Sequence, residues 1–224
     1  TAVQQLLDSE EDRRRREAMV EHQLRARGIS DERVLAAMAS VPRHLFVPPE
    51  LRARAYDDCA LPIGEGQTIS QPYMVALMLQ ALGLTPDSVA LEVGAGSGYQ
   101  AALLGRLCRK VYAMEIVPTL AEGARQVLRR LGIDNVEVIT GDGSLGLPDH
   151  APYDAIIVAA AAPDVPPPLK EQLADGGRLV APVGGRYGQQ LVICERQGGE
   201  LVVRHGINCV FVPLLGAHGW QAEC

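Results

Sequence analysis

From residue 88 onward the chain alternates two kinds of segment, and that alternation constrains its fold more than any other feature. "SVALEV", "KVYAMEI", "NVEVIT", "YDAIIVAA" and "RLVAPV" are short apolar runs rich in β-branched residues. Such runs read as strands buried on both faces. Between them lie "YQAALLGRLC", the segment 118–131 closed by Gly132, and a stretch near "PPLKEQLA", all with helical lengths and periodicity. Strands linked through helices pair in parallel, so a doubly wound α/β sheet with helices on both faces is expected. The end differs. "QQLVICERQ" and "ELVVRHGINCVFVPLL" are joined only by "GGE", which predicts an antiparallel hairpin as the last part of the sheet.

Ahead of this pattern, residues 10–27 are charged, with Met19, Val20 and Leu24 on one helical face and Gly28 as the stop. A second short helix follows, capped by Asp31, with Val34, Leu35 and Met38 facing inward; "VPRHLFVPPE" then predicts extended chain around its prolines. These opening residues have too few apolar positions for a core of their own, so they are expected to dock onto the rest. With 224 residues the chain suits one domain. Within it, 1–80 form a helical, substrate-facing region, 81–188 a βα core and 189–224 a C-terminal hairpin.

The net charge of -6 lacks the positive field that phosphate-dominated binding needs, which argues against nucleic acid as a partner. Arg13 to Arg16 are the one dense basic run, and Glu10, Glu11, Asp12 and Glu17 flank it, as on a solvated helix face. Cys59, Cys108, Cys194, Cys209 and Cys224 are widely spaced and never arranged as CxxC, which disfavours a disulfide scaffold or a metal site and points to a reducing cytoplasm. "AIIVAAAA" falls short of the roughly 18 apolar residues of a membrane span, and the start shows no leader pattern. A cytoplasmic protein with no membrane partner is expected.

The chemistry concentrates at "LEVGAGSGYQ". Its glycines sit at a strand-to-helix turn, where a ligand can approach the backbone in an open parallel sheet. A dinucleotide fingerprint requires G-x-G-x-x-G, but Gly94 and Gly96 are followed by Gly98 and then Tyr99, so the third glycine comes one residue early. The arrangement E-x-G-x-G-x-G, from Glu92 through Gly94, Ala95, Gly96 and Gly98, instead resembles the S-adenosylmethionine loop of class I methyltransferases, which have a Rossmann-like fold. Glu115 ends the next strand, where a carboxylate can accept from both hydroxyls of a ribose. Asp142 and Gly143, in "TGDG", follow the third strand, where the resembling families bond the adenine amino group.

The fourth strand ends in "AAAAPDVPPP", which offers no base or nucleophile. A carboxylate acceptor would need none, because its ordinary pKa near 4 leaves it ionised at neutral pH. It needs hydrogen-bond donors and a dry surface. "GQTISQPYM" can supply donors: Ser70 stands where the apolar helix "YMVALMLQAL" begins, either as an N-cap, as a hydroxyl facing an anion, or as both.

Taken together, "MVEHQLRARGI", "VPRHLFVP", "LPIGEGQTISQPYM", "LEVGAGSGYQAALL", "VYAMEI", "NVEVITGDG", "LADGGRLVAPVG" and "FVPLLG" resemble the protein-L-isoaspartate O-methyltransferases over nearly the whole length. The resemblance implies methyl transfer from S-adenosylmethionine to the free α-carboxylate of L-isoaspartyl residues in damaged proteins, with repair through a succinimide. It implies that Ser70 is the active-site serine, that Thr68, Ile69 and Val212 help form the peptide and methyl-donor pocket, and that the last two strands are exchanged relative to other class I methyltransferases. Many members have Ala and His where this chain has Gln71 and Tyr73. A relative that esterifies an aspartate in one dedicated biosynthetic peptide, a nucleotide-dependent oxidoreductase and a non-catalytic adenosyl-ligand binder remain alternatives.

Overall fold

A computed structural model describes residues 8–220; residues 1–7 of the N-terminal extension and 221–224, with Cys224, lie outside the described residues. Each apolar run named above forms a strand: β3 (Val89–Val93), β4 (Lys110–Glu115), β5 (Val136–Thr140), β6 (Tyr153–Val158) and β7 (Leu173–Gly185), followed by β8 (Gly188–Gln197) and β9 (Glu200–Cys209). They make one seven-stranded sheet in the order β5-β4-β3-β6-β7-β8-β9. The first five strands pair in parallel and the last two add antiparallel, as a helix-free connection dictates.

Side chains one apart along a strand point to opposite faces, so runs such as Ala90-Leu91 and Ile156-Ile157 feed two separate apolar clusters. The larger extends from Met19, Leu24 and Leu35 in the N-terminal helices, through Leu79 and Leu103, to Ala90, Ala155 and Val180 in the sheet. The opening residues thus dock on the core as expected. On this face lie α1 (Glu10–Met19), α2 (Glu32–Ser40), α3 (Pro72–Leu82), α4 (Tyr99–Leu107) and α5 (Pro118–Arg130). Among the described residues the other face has only the short α6 (Pro167–Glu171) and 3-10 turns, and Leu169 of α6 packs there with Leu91 and Leu179.

Strand order reverses at β3: the chain runs to β4 and β5 on one side and returns to β6 on the other. A crevice therefore opens beyond the carboxyl ends of β3 and β6.

Several local expectations change. The expected single helix over 10–27 is α-helical to Met19, then widens to an i→i+5 turn over Val20–Leu24 and tightens to a 3-10 turn at Arg25–Arg27, ending on Gly28 at φ 93°. "VPRHLFVPPE" is not extended. Pro42 and Pro48 each offer a carbonyl to the N–H three residues on, and these bonds wind 3-10 turns over Arg43–Phe46 and Pro49–Arg54. Arg16 is no solvated face: its guanidinium clamps both Asp8 oxygens at 2.9 Å and donates to the Ala39 carbonyl at 2.7 Å, which lets it sit 4% exposed. Strand β9 stops at Cys209, and the rest of "CVFVPLL" turns back so that Pro213 bridges Ala161.

Candidate active site

The crevice is built on the turn after β3. Gly94 and Ala95 donate their N–H groups to the Met114 carbonyl at 2.9 and 3.0 Å, which binds the turn to the end of β4. Gly96 N–H donates to Glu115 Oε2 at 2.7 Å, and Val117 N–H donates to Oε1 at 2.9 Å. Glu115 is thereby fixed at the strand end, 5% exposed, with further lone pairs left on each oxygen. Gly96 is favoured here by φ 53°, and a Cβ would lie 3.2 Å from Ile63 Cδ1, which would have to give by a few tenths of an ångström.

Ile63 belongs to a feature that lies within the region expected to be helical. Leu61–Gly64 (β1) and Gln67–Ile69 (β2) form a small antiparallel hairpin over the glycine turn. Its tip is pinned where Thr119 donates to Glu65 Oε1 at 3.1 Å.

Behind the turn Glu92 is fully buried. Gln100 Nε2 donates to its Oε1 at 3.1 Å, while Oε2 has no partner among the described residues. Burial pushes its carboxyl pKa well above the ordinary range; the Gln100 bond pulls the other way, and the nearby Glu115 charge adds to the rise.

Together these groups line a cavity of about 780 Å³, counting its open mouth. Thr68, Ile69, Ser70, Glu92, Gly94, Ala95, Gly96, Glu115, Gly143 and Val212 all reach it. A second cavity of about 910 Å³ lies beside it, lined by Arg27, Tyr73, Met74, Ile207 and Val210 among others. Thr68, Ser70, Ala159 and Val212 belong to both and form the wall between them. Ser70 is not the helix cap. Gln71 occupies that position without a side-chain bond to the helix and instead donates to Asp58 Oδ1 at 2.8 Å, and Pro72 opens α3. Ile69 faces only the first cavity.

Gly98 and Asp142 are not brought into the lining. Gly98 starts α4 at φ 86° where a Cβ would meet Ala124 Cβ at 2.9 Å, so its small size serves helix packing. Asp142 turns away: Oδ1 accepts from Ser144 N and Oγ at 2.9 and 2.6 Å, and Oδ2 accepts from Ala217 N at 2.8 Å, which ties down the chain after β9. Partial burial works against its ionisation, but these bonds hold its carboxyl below the usual range.

The family model for protein-L-isoaspartate(D-aspartate) O-methyltransferase matches residues 14–219. The chain belongs to that family. A protein-L-isoaspartate O-methyltransferase of Methanoculleus marisnigri is 57% identical over 212 residues, covering 94% of this chain and 96% of the relative. One of Roseiflexus castenholzii is 58% identical, with 93% and 95% covered. Among solved structures, a Plasmodium falciparum protein described as such a methyltransferase, in complex with S-adenosyl-L-homocysteine, superposes with a TM-score of 0.78 at 29% identity, over 89% of this chain and 98% of the other. Another protein-L-isoaspartate O-methyltransferase reaches 0.80 at 30% identity; the match covers 91% of this chain and 66% of that longer one.

Strands β7, β8 and β9 lie side by side in chain order, each antiparallel to the next. The lining residues that sequence reasoning missed have signals in hindsight. Tyr99 and Gln100 follow the last glycine at a helix start, which must face the crevice. Ala159 and Ala160 continue β6 beside β3, and their small size makes room for a ligand. Arg27 had no signal at all: it reaches the second cavity by stacking 3.7 Å from the Tyr73 ring centroid and pairing with Asp58 at 2.6 Å.

Proposed function

We propose that this chain methylates the free α-carboxylate of L-isoaspartyl residues in damaged proteins and peptides, with S-adenosylmethionine as donor, so that the ester can collapse to a succinimide and restore part of the normal linkage. One observation carries the reading: Ser70 stands in the wall shared by a glycine-turn cavity and a second, outward cavity. A donor on one side and a peptide carboxylate on the other would meet at its hydroxyl.

The donor fits the residues present. Its bound form supplies an electrophilic methyl on a sulfonium, and the buried Glu92 Oε2, which has no partner among the described residues, is free to accept a hydrogen bond from such a ligand. Glu115 keeps acceptor capacity for a ribose diol, Gly94, Ala95 and Gly96 bring backbone close, and Gly143 lines the remaining wall. Gly98 and Asp142 act one layer back, on the helix start and on the C-terminal segment.

On the acceptor side the chain's task is placement. The lining of the first cavity contains no His, Lys, Arg or Cys, and of its carboxyl groups Glu115 accepts from Gly96 and Val117 and Glu92 from Gln100; a carboxylate acceptor requires no proton to be removed. Ser70 and Thr68 offer hydroxyl donors, while Ile69, Val212 and Leu214 exclude water. In domain terms 1–80 supply the acceptor wall, 81–188 the donor site, and 189–224 close both. The free thiols of Cys59, Cys108, Cys194 and Cys209 support a reducing, cytoplasmic setting. Among the described residues no helix is long and apolar enough to cross a membrane, and no cluster of acids, His or Cys could hold a metal ion.

Paired isoaspartyl and aspartyl peptides with radiolabelled donor test the proposal. Base-labile methyl ester should form on the first and not the second. The reverse preference refutes it.

A further inference from the structure

The block "VPRHLFVP" has no part in the chemistry above, yet it places Arg43 in contact with the acceptor wall. Arg43 is 0% exposed. Its Nε donates to the Ala55 carbonyl at 2.7 Å and its Nη2 to the Ser70 carbonyl at 2.8 Å, while Nη1 has no hydrogen-bond partner among the described residues. The guanidinium carbon lies 4.9 Å from the centroid of Tyr99, the residue that opens α4 and lines the donor cavity. Besides burial, which pulls its pKa down, the groups acting most on it are Tyr99, Tyr56 and Cys59, none of them a carboxylate.

A buried cation without an ionised partner is costly, and a hydrophobic side chain would fill the same space at less cost. What Arg43 does that such a residue cannot is hold the Ser70 main chain. Ser70 needs a hold. It lies after the last residue of β2 and before the helix of Pro72, outside both hydrogen-bond ladders. Its hydroxyl has no partner among the described residues, so nothing on the side chain fixes its direction.

We propose that Arg43 is a positioning residue for methyl transfer: through the Ser70 carbonyl it keeps Ser70 Oγ turned to the acceptor carboxylate, and through Tyr99 it couples that wall to the glycine turn. The inference rests on the reading of Ser70 as the acceptor-facing hydroxyl.

A double-mutant cycle tests it. Arg43→Met, Arg43→Lys, Ser70→Ala and both double variants are assayed for kcat and KM on an isoaspartyl peptide, with active sites counted by bound S-adenosylhomocysteine and Tm recorded. Arg43→Met should lower kcat/KM about tenfold to a hundredfold, as displacement of a positioned group does, with product affinity within about twofold. In the Ser70→Ala background the same change should cost less than about threefold, and Arg43→Lys, which keeps one donor, should recover part of the loss. Equal losses in both backgrounds overturn the inference and leave Ser70 in place. Unchanged turnover per counted site, with a lower Tm, makes Arg43 a structural staple and also overturns it. A silent Ser70→Ala removes the reading beneath and the inference with it. If the Met variant does not fold, the Lys variant runs the cycle; if neither binds product while Ser70→Ala does, Arg43 serves folding alone.

Discussion

Replacing Gly98 by Ala separates two accounts of the glycine turn. If all three glycines hold cofactor, Gly98→Ala should weaken ligand binding and leave the apoprotein intact. The structure gives a different expectation. At φ 86° an L-residue is strained by about 1–2 kcal/mol. Its Cβ would lie 2.9 Å from Ala124 Cβ and 3.3 Å from Ala124 Cα in α5, a helix that cannot retreat freely because Ala121, Ala124 and Leu128 are buried against the sheet. Overpacking of that kind costs about 1–3 kcal/mol. The sum is about 2–5 kcal/mol, and for a domain of this size each kcal/mol lowers Tm by about 2–4 °C, so a fall of about 4–20 °C is expected. Calorimetry of the apoprotein and titration with S-adenosylhomocysteine measure the two effects separately. A further Ala124→Gly change should restore part of the Tm and of the affinity, less the helix-propensity cost of about 1 kcal/mol. A Tm within about 1 °C of wild type, with a tenfold loss of affinity that Ala124→Gly does not repair, would refute the packing account.

Glu115→Gln keeps one carbonyl acceptor and loses the charge that receives Gly96 and Val117 N–H; S-adenosylhomocysteine should bind about 10- to 100-fold more weakly by titration calorimetry, while kcat at saturating donor stays within a few fold. Glu92 has a raised folded-state pKa, so the stability it contributes is full below its ordinary value of 4.5 and is lost as pH rises through the raised one. Glu92→Gln removes that loss, and its Tm relative to wild type should therefore improve from pH 5 toward pH 8; a pH-independent difference would mean that Glu92 is ionised in the apoprotein. Asp142 is shifted the other way, its contribution being present above the ordinary 3.8 and lost as pH falls through the depressed value. Asp142→Asn should thus lower Tm at pH 7, converge with wild type in acid, and increase proteolytic cleavage after residue 209, where the chain is held through Ala217.

The sheet was legible because buried parallel strands read as unbroken apolar runs and because "GGE" leaves no room for a crossover helix. Residues that line the glycine-turn cavity were legible for a related reason: Glu92, Gly94 and Glu115 sit at strand ends, and strand ends of adjacent parallel strands share a crevice whatever the rest of the chain does. Residues whose role depends on contacts distant in sequence were not. Gly98 and Gly96 look alike in "GAGSG", and only the positions of Ala124 and Ile63 tell that one admits a helix and the other a hairpin. Asp142 likewise gives no local sign that Ser144 and Ala217 donate to its oxygens. A cap was one of the readings open for Ser70 because a hydroxyl before a proline-led helix is often one, but the helix begins one residue later than that role requires. Arg16 and Arg43 were hidden for the same reason: a buried arginine is defined by partners such as Asp8 and Ser70, which no local pattern reveals.

The sparse charge of the site follows from the reaction itself. A sulfonium and a carboxylate meet and both charges vanish, so the transition state is less polar than the reactants. Strong ion pairs to either reactant would hold the ground state more tightly than the transition state and slow the transfer. A site suited to this reaction should therefore use neutral donors at the acceptor and keep full charges off the line of transfer. Ser70 and Thr68 answer the first requirement. Glu92, buried and shifted toward its neutral form, and Arg43, which touches the acceptor wall only through a main-chain carbonyl, answer the second. An arginine or lysine placed in the wall itself, as in Thr68→Lys, should on this logic lower the KM for an isoaspartyl peptide yet lower kcat more, and a variant that gained in both would show that charge in the wall assists the transfer.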